Sequence, residues 1–113
     1  MNLLTNYTQY LALLDECKDV DLDMVIAENP MGIEDGEKAV AASSILWLAA
    51  HGDIAGIAVE CGLSAYGLGQ KFDILPRTVQ QWTSGSRSAP SYVVQMIGYI
   101  LITEMTRKNE RQF

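Results

Sequence analysis

Apolar residues recur at helical spacing along most of the chain, and no segment alternates apolar and polar residues as a strand would. Tyr7, Tyr10 and Leu14, for example, lie three and four residues apart and predict a first helix. The same spacing, with Asp, Ser and Pro at helix starts, predicts helices over residues 5–17, 22–28, 35–50, 54–60, 64–72 and 76–83, and a last helix that starts at Pro90. The chain is therefore predicted to be a compact all-α domain.

Residues 62–90 predict two short helices joined by a tight turn. Ser64 is a suitable N-cap for the first helix, which Asp73 ends. Pro76 suits the first turn of the second helix because proline has no N–H group to leave unpaired. Leu75, before the proline, is disfavoured in the helical conformation and so fixes the boundary. This order of elements is typical of a helix-turn-helix.

The second helix of this pair divides into an apolar side and a polar side. Val79 and Trp82 lie three residues apart and are predicted to insert together into the core. Gly69 lies inside the first helix of the pair, where a glycine lowers helix stability by about 1 kcal/mol relative to alanine. Its presence predicts that the two helices pack closely at this position. The side chains predicted to point away from the core are those of Arg77, Thr78, Gln80 and Gln81.

At these residues the chain resembles the Cro/repressor-type helix-turn-helix family, the xenobiotic-response-element class that includes phage repressors and many antitoxins. The resemblance covers about the C-terminal half and lies in Phe72, Asp73, Ile74, Arg77, Thr78, Val79, Gln80, Gln81, Trp82, Gly85, Arg87 and Pro90. In that family the second helix enters the major groove, and the loop after it meets phosphate. The resemblance implies a sequence-specific, double-stranded DNA-binding transcriptional regulator of the Cro/repressor or antitoxin type.

The resemblance also implies which side chains contact DNA. Base-reading positions fall on Pro76, Arg77 and Gln81, with Thr78 and Gln80 beside them, and phosphate-contacting positions fall on Ser86 and Arg87. Pro76 departs from the family pattern, because a proline side chain cannot hydrogen-bond a base and is left with apolar contact to a thymine methyl group. Arg77 is the sharpest candidate, since arginine can pair bidentately with guanine.

Each of these side chains also has a purely structural interpretation. Arg77 and Gln81 would otherwise be solvated residues on an exposed helix face. Trp82 could stack on single-stranded bases, but its register with Val79 and Leu68 favours a role as a core anchor.

Length and composition indicate one domain over residues 1–113, with an acidic helical half (1–61) and a half that holds the helix-turn-helix and the last helix (62–113). The net charge of −6 is unusual for a DNA-binding protein. The charge is uneven, however. Residues 1–62 carry eleven Asp and Glu against two Lys, a net −9, whereas residues 63–113 carry six Lys and Arg against three acidic residues, a net +3. The basic half is expected to meet phosphate, although acidic residues also keep an apolar chain soluble.

The chain lacks the residues that several classes of function require. Cys17 and Cys61 are far apart and His51 is the single histidine, so the sequence predicts no metal site, no cofactor and no enzyme. The carboxylates within residues 32–36 lack the spacing of a calcium-binding loop, and this segment is predicted to be a solvated linker and helix start. The N-terminus lacks the basic region of a secretory signal, and the most apolar stretch, residues 92–102, is too short for a membrane span. We expect a cytoplasmic protein with both thiols reduced and buried.

The last helix is apolar on more than one face, which is wider than a single packing stripe requires. Its apolar residues are Tyr92, Val93, Val94, Met96, Ile97, Tyr99, Ile100, Leu101, Ile102 and Met105. One face is expected to pack on the helix-turn-helix and another on a second copy, with Tyr99 and Ile102 near the axis of a two-fold homodimer. In the alternative, the acidic N-terminal helices cover that second face within one chain.

A second function class competes with DNA binding. In this class the acidic half binds and inhibits a basic protein partner, such as a toxin or a nuclease, and DNA binding is reduced or lost. Pro76 and the net charge of −6 favour this alternative.

Overall fold

The computed structural model describes residues 6–107, and within this range the chain forms seven α-helices and no strand. The helices are α1 (Tyr7–Cys17), α2 (Leu22–Glu28), α3 (Gly36–Ala50), α4 (Ile54–Glu60), α5 (Ala65–Phe72), α6 (Pro76–Ser84) and α7 (Ser91–Arg107). The prediction of an all-α fold is confirmed.

Polar side chains cap four of the helix starts, which explains why the sequence predicted these bounds closely. Each cap satisfies a backbone N–H group that a helix start leaves without an intrahelical partner. The acceptors are Asn6 Oδ1 for the Gln9 N–H at 3.2 Å, Asp35 Oδ1 for Lys38 at 3.1 Å, Asp53 Oδ1 for Gly56 at 2.8 Å and Ser64 Oγ for Gly67 at 2.9 Å.

The bounds that differ from the prediction differ by one residue or two. Residue 5, the predicted start of the first helix, lies outside the described residues, and α1 begins at Tyr7. Helix α6 continues to Ser84, one residue beyond its predicted end. Helix α7 begins at Ser91, and the carbonyl of Pro90 accepts the Val94 N–H group at 3.2 Å.

Helix α3 lies at the centre of the described structure. Its residues Ala42, Ile45 and Leu46 are fully buried. Helices α1, α2, α4 and α7 all pack against it. Helices α5 and α6 pack on each other and join the same core cluster through Leu68 and Val79, with α4 as the neighbour of α6. The acidic half thus supplies the scaffold, and the helix pair lies on one side of it.

The packing of α7 corrects one expectation of the sequence analysis. Ile102 is fully buried within the chain, so it does not lie on an axis between two copies. Tyr99 packs against the rings of Tyr7 and Tyr10 in α1, at centroid distances of 5.0 and 4.9 Å. Helix α7 packs mainly on α3 and α1 rather than on the helix pair. The N-terminal helices therefore cover Ile102 fully and Tyr99 in part, as the alternative interpretation expected for this face.

Two further side chains differ in burial from what the sequence indicated. Trp82 packs against the core cluster but is half-buried, not enclosed. Cys17 is buried as expected, whereas Cys61 is half-buried, and both thiols are free. Burial raises the pKa of both thiols above the ordinary value. Within residues 6–107, no helix is both long and apolar enough to cross a membrane.

Candidate nucleic-acid interface

Helices α5 and α6 are joined by three residues, 73–75, in a turn that the backbone geometry defines. Asp73 adopts a left-handed conformation, with φ of 55° and ψ of 45°, and so ends α5. The Ile74 N–H group then donates to the carbonyl of Gly69 at 2.8 Å, which folds the turn back onto α5. The arrangement is consistent with the helix-turn-helix that the sequence predicts.

At Gly69, α5 lies directly against the backbone of the turn and of the start of α6. A Cβ atom at this position would lie 2.6 Å from the carbonyl oxygen of Ile74 and 3.4 Å from the Cα atom of Pro76. Both neighbours are backbone atoms, so neither can move away as a flexible side chain would. The close packing predicted at Gly69 is confirmed, and it explains why a glycine is placed in the middle of a helix.

Helix α6 has one side in the core and the other in solvent. Val79 is fully buried, and Trp82 beside it is half-buried. Arg77 and Gln80 are exposed on the other side. The remaining predicted base-reading residues, Pro76, Thr78 and Gln81, are half-buried. The side chains free to approach a ligand without rearrangement are therefore those of Arg77 and Gln80.

The loop after α6 folds back onto the end of the helix. Gly85 adopts a left-handed conformation with φ of 84°, which ends α6. The carbonyl of Gln81 then accepts the Arg87 N–H group at 3.1 Å and the Ser86 hydroxyl at 3.3 Å. Ser86 and Arg87, the two predicted phosphate-contacting residues, are exposed. Their backbone is thus held against the same helix that carries Arg77.

The cations around the helix pair differ in whether they form an ion pair. Lys71 of α5 forms an ion pair with Glu104 of α7 at 2.8 Å. Neither Arg77 nor Arg87 has an ion-pair partner among residues 6–107, so both guanidinium groups remain available for an anion. Two of the cations that give the C-terminal half its positive charge, Lys108 and Arg111, lie outside the described residues.

Two exposed apolar side chains near the helix pair were not predicted as functional. Leu75, the N-cap residue of α6, is 74% exposed, and Tyr66 of α5 is 57% exposed. The hydroxyl of Tyr66 accepts a hydrogen bond from Gln70 Nε2 at 3.1 Å. In the sequence, Leu75 indicated only a helix boundary. No signal in the sequence identifies it, because Leu75 precedes Val79 by four residues and Trp82 by seven, a helical spacing that would place it on their apolar side.

The described residues also contain an open cleft of about 810 Å³ between the end of α4, helix α5 and the end of α7. Its lining mixes Cys61 with the paired Lys71 and Glu104 and with Lys38 and Arg107. Groups of three or more His, Cys, Asp or Glu that could hold a metal ion are absent from residues 6–107. The helix pair is therefore the site at which the predicted functional residues come together.

Comparisons with known proteins give no match: no family model, no curated protein and no solved structure matches the chain. The class that the described residues define is an all-α protein in which a short helix pair, α5 and α6, packs with five other helices. Any assignment of function therefore rests on the residues of α5, α6 and the loop after α6.

Proposed function

We propose that this protein is a sequence-specific regulator of transcription that binds double-stranded DNA, with α6 in the major groove. The observation that carries the proposal is the arrangement of α6. One side of it inserts Val79 into the core, and the other exposes Arg77 and Gln80. The loop held against its end exposes Ser86 and Arg87. A helix that enters a groove requires this division between core and ligand.

The proposed contacts follow from the chemistry of each side chain. Arg77 pairs bidentately with O6 and N7 of a guanine, which discriminates by about 1–3 kcal/mol against other bases. Gln81 reads adenine after a small outward rotation, since it is half-buried in the free chain. Ser86 and Arg87 contact phosphate and position the helix without reading sequence.

The net charge of −6 is compatible with DNA binding if the acidic residues lie away from the duplex. Nine of them, between Asp15 and Glu37, are exposed and belong to α1, α2, α3 and the connections between these helices. Helix α6 packs mainly on α5 and α4. Repulsion between this acidic surface and phosphate lowers non-specific affinity and leaves specific contacts to dominate.

Two copies are proposed to bind together, through a surface that differs from the one first expected. Helix α7 leaves Tyr92, Met96 and Ile100 exposed at intervals of four residues, by 67, 47 and 38%. Tyr7 and Tyr99 complete a shallow groove of about 240 Å³ beside Met96 and Ile100. No charged residue occurs between Ser91 and Thr103 in α7 or between Tyr7 and Leu14 in α1. An uncharged face lets two strongly acidic chains meet without repulsion.

The proposal is tested by selecting duplexes from a random library on the immobilised protein and measuring their affinity at two salt concentrations. We expect one sequence family to be enriched, and log affinity to fall with log salt by about 0.9 per phosphate contacted. If the protein retains no duplex at low salt, although its circular dichroism shows that it is folded, the proposal is contradicted.

A second candidate function is a protein-interaction module that binds a basic partner, such as a toxin or a nuclease. The specific observation in its favour is that all nine acidic residues of positions 15–37 are exposed, and within residues 6–107 only Asp15 of these has an ion pair, with Lys18. If the random-library selection fails, calorimetry against basic proteins at two salt concentrations tests this candidate directly.

A further inference from the structure

Helix α6 begins differently from the capped helices of this protein. Helices α1, α3, α4 and α5 start with a side chain that accepts a backbone N–H group. Helices α2 and α6 lack such a bond, but the N-cap of α2 is the polar Asp21, whereas that of α6 is the apolar Leu75. Pro76 follows at the first helical position and has no N–H group. The leading end of α6 therefore presents two consecutive apolar residues with no side-chain hydrogen-bond donor or acceptor.

The fold does not need the side chain of Leu75 for packing. The core near α6 is filled by Leu68 and Val79, both fully buried, while Leu75 is 74% exposed and does not belong to the core cluster. The backbone of Leu75 has a structural role, since its carbonyl accepts the N–H groups of Thr78 and Val79 at 2.9 and 3.2 Å. A serine or an asparagine would provide that carbonyl and also a cap. The apolar side chain is thus left without a structural explanation.

The major groove offers one apolar group with which such a side chain can pair. Each base pair presents hydrogen-bond donors and acceptors there, and thymine adds its C5-methyl group. An amino or carbonyl group pressed against Leu75 and Pro76 would lose its water and gain no partner, which is unfavourable. A methyl group in the same place buries apolar surface on both sides.

We propose that Leu75 and Pro76 recognise the C5-methyl group of thymine, so that the sites bound by this protein contain a thymine at the position that faces the start of α6. The inference rests on the proposed function and deepens it by assigning a base to a position without hydrogen-bonding side chains. Arg77, the next residue, then reads the neighbouring base pair. The role expected from the sequence for Pro76 alone is extended to the more exposed Leu75.

The experiment replaces each thymine of the selected duplex, one at a time, by deoxyuridine, which removes only the methyl group. We expect affinity to fall about three- to fourfold at one position in each half-site, as for the loss of one buried methyl group, and to stay unchanged elsewhere. The Leu75→Ala variant is expected to bind the parent duplex more weakly and to lose most of this difference. Circular dichroism checks that the variant folds, as the exposure of Leu75 leads us to expect.

Met24→Ala is the matched control, because Met24 is an apolar residue of α2 that is also largely exposed, at 55%. It should keep both the parent affinity and the sensitivity to deoxyuridine. If the parent duplex binds but no deoxyuridine substitution matters, the inference is overturned and the proposed function stands. If wild type and Leu75→Ala respond equally to the substitution, another residue reads the methyl group, which also overturns it. If no duplex binds at all, the proposed function itself has failed.

Discussion

At the scale of single residues, the two arginines of the proposed interface differ in what they can recognise. Arg77 lies in the first turn of α6, whereas Arg87 lies in the loop beyond Gly85. A side chain in the first turn of a recognition helix reaches base edges, and one in the following loop reaches the sugar–phosphate backbone. The sequence predicted both positions by resemblance, and the structure leaves both guanidinium groups exposed.

Arg77→Ala is expected to weaken binding to the selected duplex by about 1–3 kcal/mol with little change in stability, because an exposed side chain is removed. Fluorescence anisotropy against the selected duplex and against a duplex with one guanine replaced measures the loss. Arg107→Ala is the matched control, since it removes the same charge from the end of α7. Equal effects of the two substitutions on the selected duplex would show that Arg77 acts only through its charge.

Arg87→Ala is expected to act on all sequences alike. It removes one phosphate contact, so the slope of log affinity against log salt should become shallower by about one unit. Affinity measured at four salt concentrations, for a selected and an unrelated duplex, gives both slopes. A loss confined to the selected duplex would instead place Arg87 on a base.

At the scale of elements, the junction of α5 and α6 depends on the absence of a side chain at one position. Gly69 lies against the carbonyl of Ile74, which belongs to the turn, and against the backbone of Pro76, which starts α6. An added Cβ atom must therefore displace the second helix relative to the first. The effect on binding is expected to exceed the effect on the core, because α6 carries the proposed contacts.

Gly69→Ala is expected to destabilise the protein by about 1–3 kcal/mol, as overpacking does, and to weaken DNA binding further. Gly36→Ala is the control, since a Cβ atom there meets nothing within 4 Å and should change stability by less than about 1 kcal/mol. Urea denaturation of both variants measures the difference. A Gly69→Ala protein as stable as wild type would mean that the two helices can separate at little cost.

Helix bounds were predictable from the sequence wherever a local signal marks them. Asp53 and Ser64 each cap the helix that follows, and the bonds they make involve residues only three positions away. Burial was less predictable, because it depends on distant residues. Helix α7 is apolar on several faces, so its pattern shows that more than one face is covered but not what covers it. Only the structure places Ile102 in the core and leaves Met96 exposed.

The same reason limits what the sequence indicates about the candidate site. Arg77 and Arg87 were predictable because the motif that contains them is local. Leu75 was not, since an apolar residue at a helix boundary is usually part of the core. Its exposure results from the direction in which the turn 73–75 leaves α5, which is a tertiary property.

At the scale of the whole molecule, the exposed carboxylates of residues 15–37 are separated from the uncharged faces of α1 and α7. Exposed carboxylates occupy α1 beyond Leu14, α2 and the start of α3, while the uncharged parts of α1 and α7 lie together. A face of this kind is the place where two copies of an acidic chain can meet. The separation also means that assembly and charge can be altered independently.

Met96→Glu is expected to yield a folded monomer with a mass near 12.4 kDa, whereas wild type is expected to have twice that mass. Val59→Glu is the matched control, because Val59 is 81% exposed on α4 and lies outside the α7 groove. It adds the same charge and should remain a dimer. Light scattering at micromolar concentration distinguishes these outcomes, and a wild-type mass near 12.4 kDa contradicts the dimer.

Stability is expected to decrease at alkaline pH. Burial raises the pKa of the Tyr10 phenol well above its ordinary value, and it also raises the pKa of the thiols of Cys17 and Cys61. Because folded-state pKa values are raised, the unfolded chain loses these protons first, so the contribution to stability is complete below the ordinary pKa values and declines above them. The decline should begin near pH 8.5 for the thiols and near pH 10 for the phenol, approximately the ordinary values.

Urea midpoints measured between pH 7 and 11 test this expectation. The Tyr10→Phe variant keeps the ring but loses both the titrating proton and the hydrogen bond to the carbonyl of Gln95, which is 2.8 Å long. It should be less stable at pH 7 and should lose less stability above pH 10. Parallel pH profiles for the two proteins would show that Tyr10 ionises as easily in the folded state as in the unfolded one.

The hydrogen bonds that hold the loop after α6 have a consequence for the kinetics of recognition. The carbonyl of Gln81 fixes both Ser86 and Arg87 in the free protein. A loop that is already pre-organised loses little conformational entropy when it meets its ligand, so association should not wait for a rearrangement of this loop. Variants of the interface should then differ mainly in how long the complex persists, not in how fast it forms.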